Sequence, residues 1–110
     1  KKNSKKVLKA ATETDLYLYK GIGATTLCIG SKAGLNFQKI LGTATATYVQ
    51  VLEGKHNGLI QEISYRLEKE KLFAGAEFQI VETAIKYCPD SIPKDIKRKV
   101  KIILRENNYK

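Results

Sequence analysis

The sequence predicts an all-α fold, a single compact domain of about four helices. Apolar residues recur three and four apart through most of the chain. Gly34, Asn36 and Pro89 mark helix boundaries, and the connections between periodic stretches are short. A length of 110 residues suits one domain with one core.

The first element, from Asp15 to Gly34, has two stripes. Leu16, Tyr19, Gly23, Leu27 and Gly30 share one, and Leu18, Ile22, Thr25 and Ile29 share the other. A helix apolar most of the way round belongs in the centre of a fold. Gly21 and Gly23 oppose it, each costing about 1 kcal/mol relative to Ala inside a helix. The rival is a strand at Leu16–Tyr19, a turn at Lys20–Gly23 and a second strand to Ile29. Helix is the favoured reading, with Gly34 as its stop.

Asn36 is the expected N-cap of the second helix. Phe37, Ile40, Leu41, Ala44, Tyr48, Val51 and Leu52 give the cleanest helical period in the chain. Thr43, Thr45, Thr47 and Val49 favour strand by propensity. The alternate set Ala44, Ala46, Tyr48 and Gln50 forms no clear face, so the helix prevails, ending near Gly54.

Asn57-Gly58 is a turn dipeptide. The stretch Leu59–Leu67 reads equally as a short β element or a loose helix. Helical register returns over Lys69–Cys88 with Phe73, Ala76, Ile80, Ala84, Tyr87 and Cys88, and Gly75 and Ala76 would allow close helix approach. Pro89 ends that helix, because the residue before proline is pushed out of the α region. Pro93 opens the last helix at its first position, with Asp95 in the first turn against the positive dipole end. Its apolar face is Ile96, Val100, Ile103 and Leu104. The expected core is Leu27, Phe37, Ile40, Leu41, Tyr48, Phe73, Ile80, Ala84, Ile96 and Val100.

The net charge of +9 is concentrated at the ends: +5 over residues 1–9, −1 over 10–92 and +5 over 93–110. This divides the chain into a flexible basic N-terminus (1–12), a helical domain (13–106) and a flexible tail (107–110). No stretch approaches the roughly 20 apolar residues needed to span a bilayer.

Catalytic constellations are absent from the pattern. Gly21-Ile-Gly23-Ala-Thr-Thr26 only superficially resembles a dinucleotide loop, because Thr26 takes the third glycine's place and no acid follows about 20 residues on. His56, beside the Asn57-Gly58 turn, is expected to be an exposed turn residue. Glu68, Glu70, Glu77 and Glu82 read as a salt-bridged surface rather than an acid–base pair. One His and two Cys cannot supply the four ligands of a structural zinc. No cofactor and no metal is expected, and no enzyme.

The last helix is the candidate site. Lys94, Lys97, Arg98, Lys101 and Arg105 lie mostly away from its apolar face, and Lys97, Lys101 and Arg105 form one row. Such a helix could dock on nucleic-acid phosphates or anionic lipid. No Trp or Phe accompanies it, so base stacking and interfacial anchoring both lack an aromatic, and a solvated face is the plainer reading.

Cys28 and Cys88 admit two readings. In an oxidising compartment they would pair and stabilise the fold by roughly 3–5 kcal/mol on the chain-entropy model. In the cytosol they would be two small buried residues. The chain starts at Lys1 and has no Met, which leans toward a processed, exported protein.

Several blocks together carry a resemblance: Ala24-Thr-Thr-Leu-Cys28-Ile-Gly-Ser-Lys-Ala-Gly34, Ala44-Thr-Ala-Thr-Tyr48, Val51-Leu-Glu-Gly-Lys-His-Asn-Gly58, Leu72-Phe-Ala-Gly-Ala-Glu-Phe-Gln79 and Tyr87-Cys-Pro89. Over about residues 14–100 the chain resembles a small, exported, helical family of marine picocyanobacteria, some of whose members carry the label class II cyclic-AMP phosphodiesterase. The resemblance implies a cleaved export signal and a Cys28–Cys88 disulfide, and brings no established activity. Phosphodiesterases hold paired metals through several His and Asp residues. This chain has one His, and its Asp residues are Asp15, Asp90 and Asp95, so the label lacks support. The architecture also resembles the small periplasmic acid-stress chaperones, as fold-level analogy without a matching motif.

The expectation is therefore a non-catalytic periplasmic or envelope binding protein, with a protein partner or an anionic surface as its target. A basic module for nucleic acid or anionic membrane comes second, with nucleic acid not favoured, and a chaperone-like stress protein third.

Overall fold

A computed structural model of the chain describes residues 9–107. Four α-helices follow one another, α1 (Glu13–Lys32), α2 (Phe37–His56), α3 (Lys69–Tyr87) and α4 (Lys94–Asn107), with a short 3₁₀ turn at Pro89–Ser91. Helices α1, α2 and α3 each contact the other two, whereas α4 rests on α3. The fold is all-α, as expected, and the Cys28–Cys88 disulfide joins α1 to the end of α3, with Cα atoms 5.9 Å apart.

Local chemistry sets the boundaries. Thr12 and Asp15 form a capping box: the Asp15 N–H donates to Thr12 Oγ1 at 3.1 Å, and the Thr12 N–H donates to Asp15 Oδ2 at 2.9 Å. Helix α1 closes in a Schellman motif at Gly34, whose φ is +84°, with the Leu35 N–H donating to the Gly30 carbonyl. Asn36 Oδ1 accepts from the Lys39 N–H and starts α2. That helix runs past Gly54 to His56, where Asn57 (φ 54°) and Gly58 (φ 72°) turn the chain.

The β-prone threonines of α2 do not break it. Thr43 and Thr47 return their hydroxyls to the carbonyls of Lys39 and Thr43, at 2.9 and 2.8 Å. Pro89 stops α3 at Tyr87, as the pre-proline restriction requires.

Helix α1 is central along one stripe only. Gly23 and Gly30 are the points of closest approach: a Cβ on Gly23 would lie 2.7 Å from Ile80 Cδ1, and one on Gly30 would lie 2.7 Å from Ile40 Cδ1. The propensity cost of these glycines is offset by the packing their missing side chains permit. The second stripe is not buried as the all-round apolar pattern implied. Leu18, Ile22 and Ile29 are 56–65% exposed, because α2 and α3 both pack on the Gly23–Leu27–Gly30 side.

Three further expectations are corrected. Leu72, not Phe73, enters the core; the buried row is Leu72, Ala76, Ile80 and Ala84, and Phe73 lies about 100° further round the helix. Gly75 is not a contact point, since no atom outside its own helix lies within 4 Å of where its Cβ would be, although Ala76 is buried. Residues 59–67 form neither a helix nor a strand: the β character is one parallel bridge, Ala11 to Ile60.

That bridge moves the edge of the helical body. Ala11 is fully buried, its N–H donating to the Leu59 carbonyl at 2.9 Å and its carbonyl accepting from Gln61 at 2.8 Å. The body therefore takes in residues upstream of 13. The remainder of the N-terminal segment, residues 1–8, and residues 108–110 of the tail lie outside the described residues. Helix α4 begins one residue later than expected, with Pro93 supplying the carbonyl that accepts from Ile96 and Lys97.

Candidate anion-binding groove

The chain reverses across Cys88–Pro93, so α4 runs back along α3 and meets it through Val100, the residue of α4 that is buried. Beside that contact lies a groove of about 440 Å³. Its floor is Ile85, Val100 and Leu104; its rim carries Lys86 from α3 and Lys94, Lys97, Arg98 and Lys101 from α4. Glu82 is the acid of the lining. Amphipathicity explains the arrangement. Ile96, Val100, Ile103 and Leu104 occupy one arc of α4, and Lys94, Arg98, Lys101 and Arg105 occupy the opposite arc. Docking by the Val100 edge therefore tilts cations over an apolar floor.

The sequence-derived cations have different fates. Lys94, Arg98 and Lys101 are exposed and line the groove. Lys97 is half-buried, and its Nζ donates to the Pro89 carbonyl at 3.0 Å, so part of its role is to fasten α4 to the turn before it. Arg105 is exposed and does not line the groove. The geometry adds Lys86, which the sequence reading missed, because only the packing of α3 on α4 brings it beside Lys94. A second groove of about 450 Å³ lies on the other side of Val100, lined by Asp95, Glu77 and Lys99 among apolar residues, and has no excess of cations.

The other sequence candidates settle into structure. His56 is 6% exposed, not an exposed turn residue. Its Nδ1 lies 2.6 Å from the Lys9 carbonyl, which can only accept, so Nδ1 carries the proton. Nε2 is hydrogen-bonded to the Tyr19 hydroxyl at 2.8 Å, with Asp15 Oδ2 3.9 Å away. The imidazole thus pins residue 9 onto α1 and α2. Asp15 is held below the usual carboxylate range, chiefly by the Thr12 N–H. Tyr48, whose hydroxyl donates to Gln79, is pushed up to about 12 by burial.

The Gly21–Thr26 segment is interior to α1 and packs on Ile80, so it forms no phosphate loop. Of the acids, Glu53 pairs with Lys69 at 3.8 Å, whereas Glu68, Glu70 and Glu77 are exposed. Among the described residues, no group of three or more His, Cys, Asp or Glu side chains could hold a metal ion, and no helix is long and apolar enough to cross a membrane.

A family model described as a domain of unknown function, DUF8650, matches residues 14–110. The chain belongs to the DUF8650 family. The match takes in both cysteines and every groove-lining residue. No curated protein and no solved structure matches the chain.

Proposed function

We propose that this protein is a non-catalytic, exported binding protein that takes an anionic ligand in the groove between α3 and α4. The observation that carries the reading is the groove's make-up: cations from two helices over an apolar floor, with a single acid in the lining. Converging cations raise the local concentration of anions and orient them. The Cys28–Cys88 bridge supports export, since structural disulfides form and persist in oxidising compartments. A binding role is supported by His56, whose two ring nitrogens are both engaged in holding the fold and so offer no base to a substrate. Phosphodiester hydrolysis through paired metals would need a ligand set that one His and three Asp do not supply.

A second reading, a chaperone-like protein that captures other chains, is favoured by the exposed apolar stripe of α1, where Tyr17, Leu18 and Ile22 share a surface with Tyr87 and Ile29 is exposed further along.

Binding of a heparin oligosaccharide across a salt series tests the leading reading. Affinity should fall with rising salt and be lost in Lys86→Glu/Lys94→Glu/Arg98→Glu. The charge-matched variant Lys32→Glu/Lys39→Glu/Lys99→Glu, whose positions lie outside the groove, should keep most of it. Equal loss in both variants would mean that net charge alone attracts the anion, and the groove would lose its role.

A further inference from the structure

We infer that the groove's ligand is a free, single-chain anionic amphiphile, with its carboxylate or phosphate head among Lys86, Lys94 and Arg98 and its alkyl chain along Ile85, Val100 and Leu104. The inference rests on the anion-binding reading above and names the ligand class. Charge complementarity sets the head. The chain reversal at Cys88–Pro93 puts Lys86, Lys94 and Arg98 at the turn end of the groove, while Leu104 lies toward the far end, where Glu82 and Lys101 carry opposite charges. An anionic head is therefore drawn to the turn end, where three cations gather, and its tail runs toward Leu104.

The floor requires the tail. A purely ionic ligand would leave the half-buried Ile85 and Leu104 in contact with water, and each methylene laid on this floor contributes up to about 0.8 kcal/mol when fully buried. A volume of about 440 Å³ falls within the usual range of small-ligand sites. The same floor argues for a free molecule rather than a bilayer surface. Interfacial helices push their apolar side chains beyond the charges and into the acyl boundary. Here the groove's own apolar residues are recessed: Val100 is 7% exposed, and Ile85 and Leu104 are half-buried between cationic rims, so an alkyl chain that uses this floor comes to the protein. No aromatic residue lines the groove to stack a nucleobase.

Calorimetric titration with dodecanoate below its micelle concentration tests the inference, alongside octanoate, butanoate, dodecyltrimethylammonium and phosphatidylglycerol vesicles. Dodecanoate should bind, and affinity should rise up to about fourfold for each methylene that enters the groove. The cationic amphiphile should not bind. Lys86→Gln/Lys94→Gln/Arg98→Gln should weaken dodecanoate by tenfold or more while leaving the helical circular dichroism unchanged.

Butanoate and dodecanoate binding alike, with heparin still captured, would overturn the amphiphile and leave the anion site standing. Vesicle binding without monomer binding would overturn it in favour of a membrane surface. Dodecyltrimethylammonium binding as tightly as dodecanoate would overturn both readings, because the cations would then play no part.

Discussion

The body formed by α1, α2 and α3 differs from α4 in how it is held. In the body, Ala24, Leu27, Ile80 and Ala84 are fully buried, two glycines let helices touch backbone to side chain, and a disulfide closes a 60-residue separation. In α4, Val100 is buried, Ile102 and Ile103 are 43% and 40% exposed, and Lys97 fastens the helix to the Pro89 carbonyl. Each fully buried Leu or Ile contributes roughly 1.5–3 kcal/mol, so stability resides almost wholly in the body. Four of the five cations lining the groove reside in α4. Stability is thus concentrated in the body, whereas the candidate site, to which α3 lends Ile85 and Lys86, depends mainly on the lightly held α4.

The largest expected effect is in the body. Cys28→Ser/Cys88→Ser should lose about 4 kcal/mol of unfolding free energy in urea, from the entropy of a loop of this length. A loss as small as that of a surface change would mean that the bridge adds little to the three-helix core.

Gly23→Ala comes next, at about 1–3 kcal/mol, because its Cβ meets Ile80. In an Ile80→Ala background the same change should cost less, by about 1 kcal/mol or more of coupling, since the opposing atoms are gone. Additive effects would place the close approach elsewhere.

Val100→Ala should cost about 1–2 kcal/mol and act locally. Hydrogen exchange should quicken across residues 94–107 while the amides of α1 and α3 keep their protection. Uniform quickening would show that α4 and the body unfold as one unit.

Titration probes the body alone. Tyr48 ionises near 12 in the folded protein, above the ordinary phenol value of 10.0. A raised pKa means that the folded state holds the proton more tightly, so its contribution is complete below pH 10 and is lost as pH rises toward 12. Asp15 works the other way: its lowered pKa contributes above the ordinary carboxylate range and is lost as pH falls through the folded value. Tyrosinate absorbance at 295 nm should therefore show a phenol near 12, besides Tyr19, which burial also raises, and Tyr48→Phe should remove the phenol near 12. Smallest of all, Lys94→Glu and Arg98→Glu should change stability by no more than about 0.5 kcal/mol.

The sequence revealed local rules better than tertiary ones. Helix α2 was legible because Asn36, its apolar period and the Asn57-Gly58 turn all agree. Helix α1 was ambiguous because Gly21 and Gly23 argue against a helix locally, and the contact that justifies Gly23 comes from Ile80, far along the chain. The exchange of Phe73 for Leu72 reflects two adjacent apolar residues that fit the period almost equally, with α1 and α2 choosing between them. His56 was misread because its partners, Tyr19 and Lys9, lie 37 and 47 residues away and leave no local trace. Of the candidate site, the α4 cations were legible from their spacing, whereas Lys86 and the apolar floor depend on how α3 and α4 dock.

The most direct measurement is amide and methyl chemical-shift mapping of the full chain titrated with dodecanoate. Perturbations should concentrate at Ile85, Lys86, Lys94, Arg98, Val100 and Leu104 and leave Leu18, Ile22 and Ile29 unmoved. Shifts confined to those α1 residues, or none at any ligand concentration below micelle formation, would contradict the assignment of the groove as the binding site.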